Sequence, residues 1–189
     1  MNLPNRLTTA RVFLTIGFVG SMSVDWRYAH TLALLLFVIA SITDYADGAI
    51  ARHRGQVTDF GKLMDPLADK IMIAGAFICL VPSCIPAWAA VVIISREFLI
   101  TGLRLVAASK QIVLPAEALG KHKTGWQIGA VIFFLLFLAV RELNLHPEYQ
   151  EPLDGIQTLV GPPLIGVVLV LTLCSGFSYL WKNREILKA

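Results

Sequence analysis

The sequence predicts an all-α, polytopic bundle of six transmembrane helices forming a single integral membrane domain. Three observations predict it. The 189-residue chain is 56% hydrophobic and only 15% charged, whereas a soluble domain is nearer half apolar with about a quarter charged. Its mean hydropathy is +0.68. Its apolar residues gather into six runs, each approaching the ~20 residues needed to cross a hydrocarbon core.

The first span is expected over about 7–24. In the preceding MNLPNRLTTAR, Pro4 and Asn5 break structure and Thr8 or Thr9 supplies a helix cap. This basic start and the following VFLTIGFVGSMSV resemble a signal peptide, but no convincing small-x-small cleavage site is present and more spans follow. DWRYAH turns the chain, with Trp26 and Tyr28 suited to the bilayer interface. The second span covers about 30–54 and the third about 61–81, ended by the prolines of PSCIP. The fourth covers about 87–108, and a polar connector runs from Lys110 to Lys123. The fifth covers about 124–140, with RELNLHPEYQEPLDG as an extramembrane loop after it. The sixth covers about 156–180, where Pro162 and Pro163 kink the helix or delay its start.

Six spans put both termini on one side. The basic residues of the termini, of the Arg52–Gly61 link and of the Lys110–Lys123 connector share that side. The other side carries Arg27 and Arg141 among Glu142, Glu148, Glu151 and Asp154. The positive-inside rule then places the termini, the link and the connector in the cytoplasm. A net charge of +3, without a dense Lys/Arg patch interleaved with aromatics, argues against nucleic acid as a partner. Cys79, Cys84 and Cys174 follow no metal spacing. Cys79 and Cys84 either pair on the outer side or, in cysteine's usual manner, stay buried as free thiols. His30, His53 and His146 fall in no pattern and read as interfacial or loop residues.

The stretch DYADGAIARHRGQVTDFGKLMDPLAD, Asp44 to Asp69, sits between strongly apolar segments. Aspartate at the end of a membrane helix is costly unless compensated. Asp44 and Asp47 are three apart and Asp65 and Asp69 four apart, so each pair shares a helix face. A short polar link lets the two helices lie side by side and antiparallel, which gathers the carboxylates. Close negative charges in a low dielectric repel strongly, and oxygen-only ligands suit a hard ion such as Mg²⁺ or Mn²⁺. Gly48, Ala49, Ala51 and Gly61 let backbones approach and leave room for a bulky ligand. Arg52 stands about two turns beyond Asp44, in reach of a phosphate. Arg96 and Glu97 lie within an apolar run and face either a cavity or each other. Arg96, Arg104, Lys121, His122 and Lys123 add cations beside the carboxylates, the composition of a phosphate site. Singly, each has a plainer reading: a helix-end aspartate, a topology-setting Arg52 or Arg54, a packing Gly48, an Arg96–Glu97 ion pair, a surface Lys121 or Lys123.

The pattern Asp44-x-x-Asp47-Gly48-x-x-Ala51-Arg52, then Gly61-x-x-x-Asp65-x-x-x-Asp69, resembles the signature of the CDP-alcohol phosphatidyltransferases, with all eight specified positions filled. NLPNRLTTAR, SREFLITGLR and GKHKT resemble the bacterial phosphatidylglycerophosphate synthase branch of that family. The recognisable parts cover about 2–124, and the last two spans fit by hydropathy alone. The resemblance implies a six-helix membrane bundle, usually a homodimer, in the bacterial cytoplasmic (inner) membrane, with its site open to the cytoplasm and sideways to lipid. It implies that Asp44, Asp47, Asp65 and Asp69 hold two divalent cations, Mg²⁺ or Mn²⁺, on the diphosphate of CDP-diacylglycerol. Gly48, Arg52 and Gly61 then bind the CDP part, and Asp69 is the general base. The acceptor implied is sn-glycerol 3-phosphate, and the products are phosphatidylglycerophosphate and CMP. Arg96, Arg104, Lys121 and Lys123 are the candidates for the acceptor's phosphate, Arg96 foremost.

Within the family the alternative is another acceptor: inositol phosphate, phosphatidylglycerol or serine. Outside enzymes it is a divalent-cation transporter, which should place acidic residues along a continuous path across the bilayer. Here the acids cluster at one end. A non-catalytic scaffold leaves the aspartate set without a purpose.

Overall fold

Six apolar runs punctuated by proline, glycine and charge become six helices. The computed structural model describes residues 3–54, 59–112, 114, 118–143 and 150–184, with side chains for 9–44, 67–112, 114, 120, 122–143 and 151–184. The described residues are all-helical apart from turns: α1 Leu3–Met22, α2 Ala29–Arg54, α3 Asp59–Leu80, α4 Ala87–Ser109, α5 Ala118–Glu142 and α6 Gln150–Lys182.

Several boundaries depart from expectation. Thr8 and Thr9 lie inside α1, which begins at Leu3, and not at its cap position. α5 begins at Ala118 and takes in the whole GKHKT segment, read as connector up to Lys123, so Lys121 and Lys123 ride on a helix. α6 begins at Gln150, ahead of the expected 156, and runs through Pro162 and Pro163, so they do not delay its start. Each proline removes one backbone donor from the ladder, and packing on α5 holds the helix across the gap, with Gly161 set against the Phe134 ring.

The helices close into a ring in the order α1, α2, α5, α6, α4, α3, and α3 also touches α5 across the middle. Among the described residues, α2 and α3 meet chiefly through α1, where the sequence suggested direct side-by-side packing. The core is built from Phe18, Phe37, Phe77, Phe134 and Val168 with small residues between them, notably Ala33, Ala76, Ala89 and Ala130. Small side chains let the backbones approach while the rings fill the remaining space. The Phe18 and Phe37 rings pack 5.8 Å apart. A separate cluster of Ile100, Leu103 and Tyr179 ties the C-terminal halves of α4 and α6.

α4 ends in a left-handed residue, Gln111 at φ 60°. The Ile112 N–H reaches the Ala107 carbonyl at 2.9 Å and the Gln111 N–H the Ala108 carbonyl at 3.0 Å. This is the Schellman closure that satisfies the last carbonyls of a helix.

The outer surface is also apolar: Phe13, Ile16, Ile39, Ile78, Leu159 and Phe177 are all exposed. Among the described residues, two helices are long and apolar enough to cross a membrane, over His122–Glu142 and Glu151–Lys182; Thr9–Met22 and Ala29–Asp44 are shorter apolar helices. α4 falls outside that set because Arg96, Glu97 and Arg104 interrupt it. Trp26 and Tyr28 stack edge-on at the α1–α2 turn, and Trp181 lies under Arg184 at the end of α6.

Candidate active site

α1 carries Arg11 on its inward face, where the side chain is only 1% exposed. A buried guanidinium requires anionic partners, and two helices supply them. Arg11 Nη1 lies 3.0 Å from Asp44 Oδ1 of α2, and the same nitrogen donates to Asp69 Oδ1 of α3. Thr15, one turn on, donates its hydroxyl to the Arg11 carbonyl at 2.9 Å. The first and last aspartates of the motif are therefore neighbours around one positive charge. Both remain partly open, at 39% side-chain exposure, so the site is accessible.

A second charged group adjoins the first through Lys70, the residue after Asp69. The Lys70 ammonium donates to Glu97 Oε2 at 3.0 Å. Glu97 Oε1 accepts from Lys123, from Gln127 Nε2 at 3.4 Å and from Arg96 Nη1 at 3.5 Å. Arg96 Nη2 continues to Ser175 Oγ on α6 at 3.2 Å. α6 admits the arginine stem because Gly176 stands there: a Cβ at that position would lie 3.0 Å from Arg96 Cγ. Glu97 and Lys123 are buried.

The structure thus unites Asp44 with Asp69, and Arg96 with Lys123. Arg104 is exposed near the end of α4. Asp47, Gly48 and Arg52 ride on α2, Gly61 and Asp65 on α3, and Lys121 on α5; their side chains lie outside the described residues. Arg96 and Glu97, read from sequence as facing a cavity or each other, do touch, but inside a larger array.

Sequence reasoning missed Arg11 and Lys70 as site residues. Arg11 read as part of a basic leader, although its place just ahead of an apolar run was a signal. Lys70 gave one too, as a charge in KIMIAGAFICLV directly beside an aspartate. His30 also gains a partner that the sequence did not suggest, the Glu142 carboxylate at 3.1 Å.

The CDP-alcohol phosphatidyltransferase family matches residues 1–174. The chain belongs to that family. Among its relatives, the CDP-diacylglycerol–glycerol-3-phosphate 3-phosphatidyltransferase of Bacillus subtilis is 41% identical over 200 residues, covering 99% of this chain and 97% of the relative. The protein of that name from Rickettsia bellii is 36% identical and covers 94% and 93%. That from Treponema pallidum is 36% identical and covers 86% and 74%. For a CDP-alcohol phosphatidyltransferase, the meeting of Asp44 and Asp69 around one cation gives the aspartate signature a physical form. Oxygen donors from two helices converge where positive charge is held.

Proposed function

We propose that this phosphatidyltransferase moves the phosphatidyl group of CDP-diacylglycerol to sn-glycerol 3-phosphate, forming phosphatidylglycerophosphate and releasing CMP, a step of phosphatidylglycerol biosynthesis. The convergence of Asp44 and Asp69 on Arg11 carries the reading. Full-length similarity to relatives bearing that name supports the donor and the acceptor.

The donor set fits a hard cation. Asp44 and Asp69 offer carboxylate oxygens toward one positive charge, and Asp47 and Asp65 stand on the same two helices. When bound by these four aspartates, two divalent cations, Mg²⁺ or Mn²⁺, neutralise charge on the diphosphate and on departing CMP. Gly48, Arg52 and Gly61 bind the CDP moiety. Asp69 takes the proton from the primary hydroxyl of the acceptor, whose oxygen attacks the lipid-bearing phosphorus as the bond to CMP breaks. Arg96, Arg104, Lys121 and Lys123 hold the acceptor's phosphate.

The chain sits in the bacterial cytoplasmic membrane as one domain of six spans, with the aspartates and both termini facing the cytoplasm. The apolar outer surface of the bundle supports this, as do Trp26 and Tyr28 at one level and Trp181 at another. The resemblance of its motifs to the family supports a homodimer. Among the described residues the buried charges are Arg11, Glu97 and Lys123. Arg11 meets Asp69, Lys123 meets Glu97, and Lys70 beside Asp69 joins the two groups, so these charges cluster, which favours an enzyme over a transporter with charges along a path.

An assay of purified protein with CDP-diacylglycerol, Mg²⁺ or Mn²⁺ and a panel of acceptors tests the reading. CMP release with glycerol 3-phosphate is expected. Release only with inositol phosphate, phosphatidylglycerol or serine would reassign the acceptor, and no release with any would overturn the activity.

A further inference from the structure

Three cations meet one carboxylate between α3, α4 and α5. Lys70, Arg96 and Lys123 all contact Glu97, which leaves two positive charges in excess within this array. The nearby Asp44 and Asp69 share the single charge of Arg11, so the array and the two aspartates together keep one positive charge in excess. Like charges held together in a low-dielectric interior repel strongly, and Glu97 alone offsets only part of that repulsion. Such an array is matched by a dianion, and a phosphate monoester carries about −1.5 to −2 charges at neutral pH. Two details point the same way. Arg96 Nε is buried with no hydrogen-bond partner among the described residues, and the Lys70 side chain is 26% exposed, so the array is open at Lys70, the residue after Asp69.

We propose that Lys70 is a further cation for the acceptor's phosphate and that Glu97 is the positioning residue that gathers Lys70, Arg96 and Lys123 into one phosphate-receiving array. The inference rests on the reading above that the acceptor carries a phosphate. Lys70 directly follows Asp69 in α3. A phosphate anchored at Lys70 thus keeps a short acceptor within one helical turn of the base. Glu97 does not touch the substrate. It fixes three long, flexible side chains contributed by three helices, and so lowers the ordering cost that each would otherwise incur on binding. Gln127 supports the same carboxylate from α5, and Ser175 secures the far side of Arg96 from α6. The array also gives selectivity: an acceptor without a phosphate leaves its excess charge uncompensated.

The test uses full-length protein in detergent or nanodiscs, with CDP-diacylglycerol and Mg²⁺, and measures KM and kcat for both substrates. Lys70→Gln is expected to raise KM for glycerol 3-phosphate about tenfold, the size of one lost charge-assisted hydrogen bond, with little change in KM for CDP-diacylglycerol. Glu97→Gln should raise the same KM, and Glu97→Asp and Lys70→Arg should recover part of the loss. An unchanged KM for glycerol 3-phosphate in Lys70→Gln would overturn the proposal. So would a uniform loss affecting both substrates and kcat together, which marks a merely structural role. If Glu97→Gln fails to fold, Lys70→Gln decides alone. Failure of the activity reading is visible separately, because the unmodified protein would then not use glycerol 3-phosphate at all.

Discussion

Arg11 Nη1 stands 3.0 Å from Asp44 Oδ1, joining α1 to α2 at the level where α3 presents Asp69. Removing one partner of a buried ion pair leaves an uncompensated charge, which is costlier than the pair is beneficial. The aspartates are partly exposed, which moderates the effect. Arg11→Met is expected to destabilise the metal-free protein by about 2 kcal/mol, less than a fully buried pair would show. Added Mg²⁺ or Mn²⁺ should restore part of the loss by supplying another positive charge. Thermal unfolding in detergent, with and without the ion, checks this. Equal melting temperatures for Arg11→Met and the unmodified protein would show that the arginine does not hold the two acids.

Asp65→Asn and Asp69→Asn should each abolish CMP release while leaving insertion and folding intact. A general base contributes about 10²–10⁴-fold, so Asp69→Asn is expected to lose at least about a thousandfold once its contribution to ion binding is included. The comparison is CMP release per mole of protein that elutes as a single, well-behaved species. Normal turnover in either variant would make that carboxylate dispensable.

Glu142, the last residue of α5, caps the start of α2. Its Oε1 accepts from the His30 backbone N–H at 2.9 Å. Its Oε2 accepts from the Thr31 N–H and hydroxyl, both at 2.9 Å. The first N–H groups of a helix lack partners within it, and an acid there also meets the favourable end of the helix dipole. Glu142→Ala is therefore expected to destabilise the protein by about 2 kcal/mol. KM values for both substrates should not change, because the cap lies about four turns along α2 from Asp44. A loss of activity without a loss of stability would contradict this assignment.

Burial pushes the Cys84 thiol, in the turn between α3 and α4, up to about 11 against the opposing pull of Arg141. The reactive form is the thiolate, so Cys84 stays protonated and unreactive at neutral pH, and its alkylation should accelerate as pH rises toward 11. Cys79 and Cys84 are free thiols, so no disulfide competes. Mass spectrometry of iodoacetamide-treated protein across a pH series reads the rate at Cys84. Rapid labelling near pH 7 would contradict the burial effect.

The helices were legible because their signal is local. Apolar runs bounded by Pro, Gly and charge marked the fourth helix as 87–108, and it occupies Ala87–Ser109. The runs marked at 30–54 and 61–81 become Ala29–Arg54 and Asp59–Leu80. The starts of α5 and α6 were misjudged because polar residues at a helix end look like loop when their tertiary partners are unknown. Lys123 is such a residue, polar in sequence yet buried against Glu97. Pro162 and Pro163 misled in the same way, since packing on α5 compensates for the donors they lack.

By itself the sequence determined how many helices form, where their apolar lengths lie, and which residues carry the aspartate signature, because hydrophobic burial and residue spacing act over a few turns of chain. Only the tertiary structure decided that α1 stands between α2 and α3, that Arg11 answers Asp44 and Asp69, and that Lys70, Arg96 and Lys123 share Glu97. Apart from the adjacent Arg96 and Glu97, those pairings join residues many positions apart, up to 58 between Arg11 and Asp69. They are selected because each charge buried by the packing must find a counter-charge from whichever helix the ring places beside it.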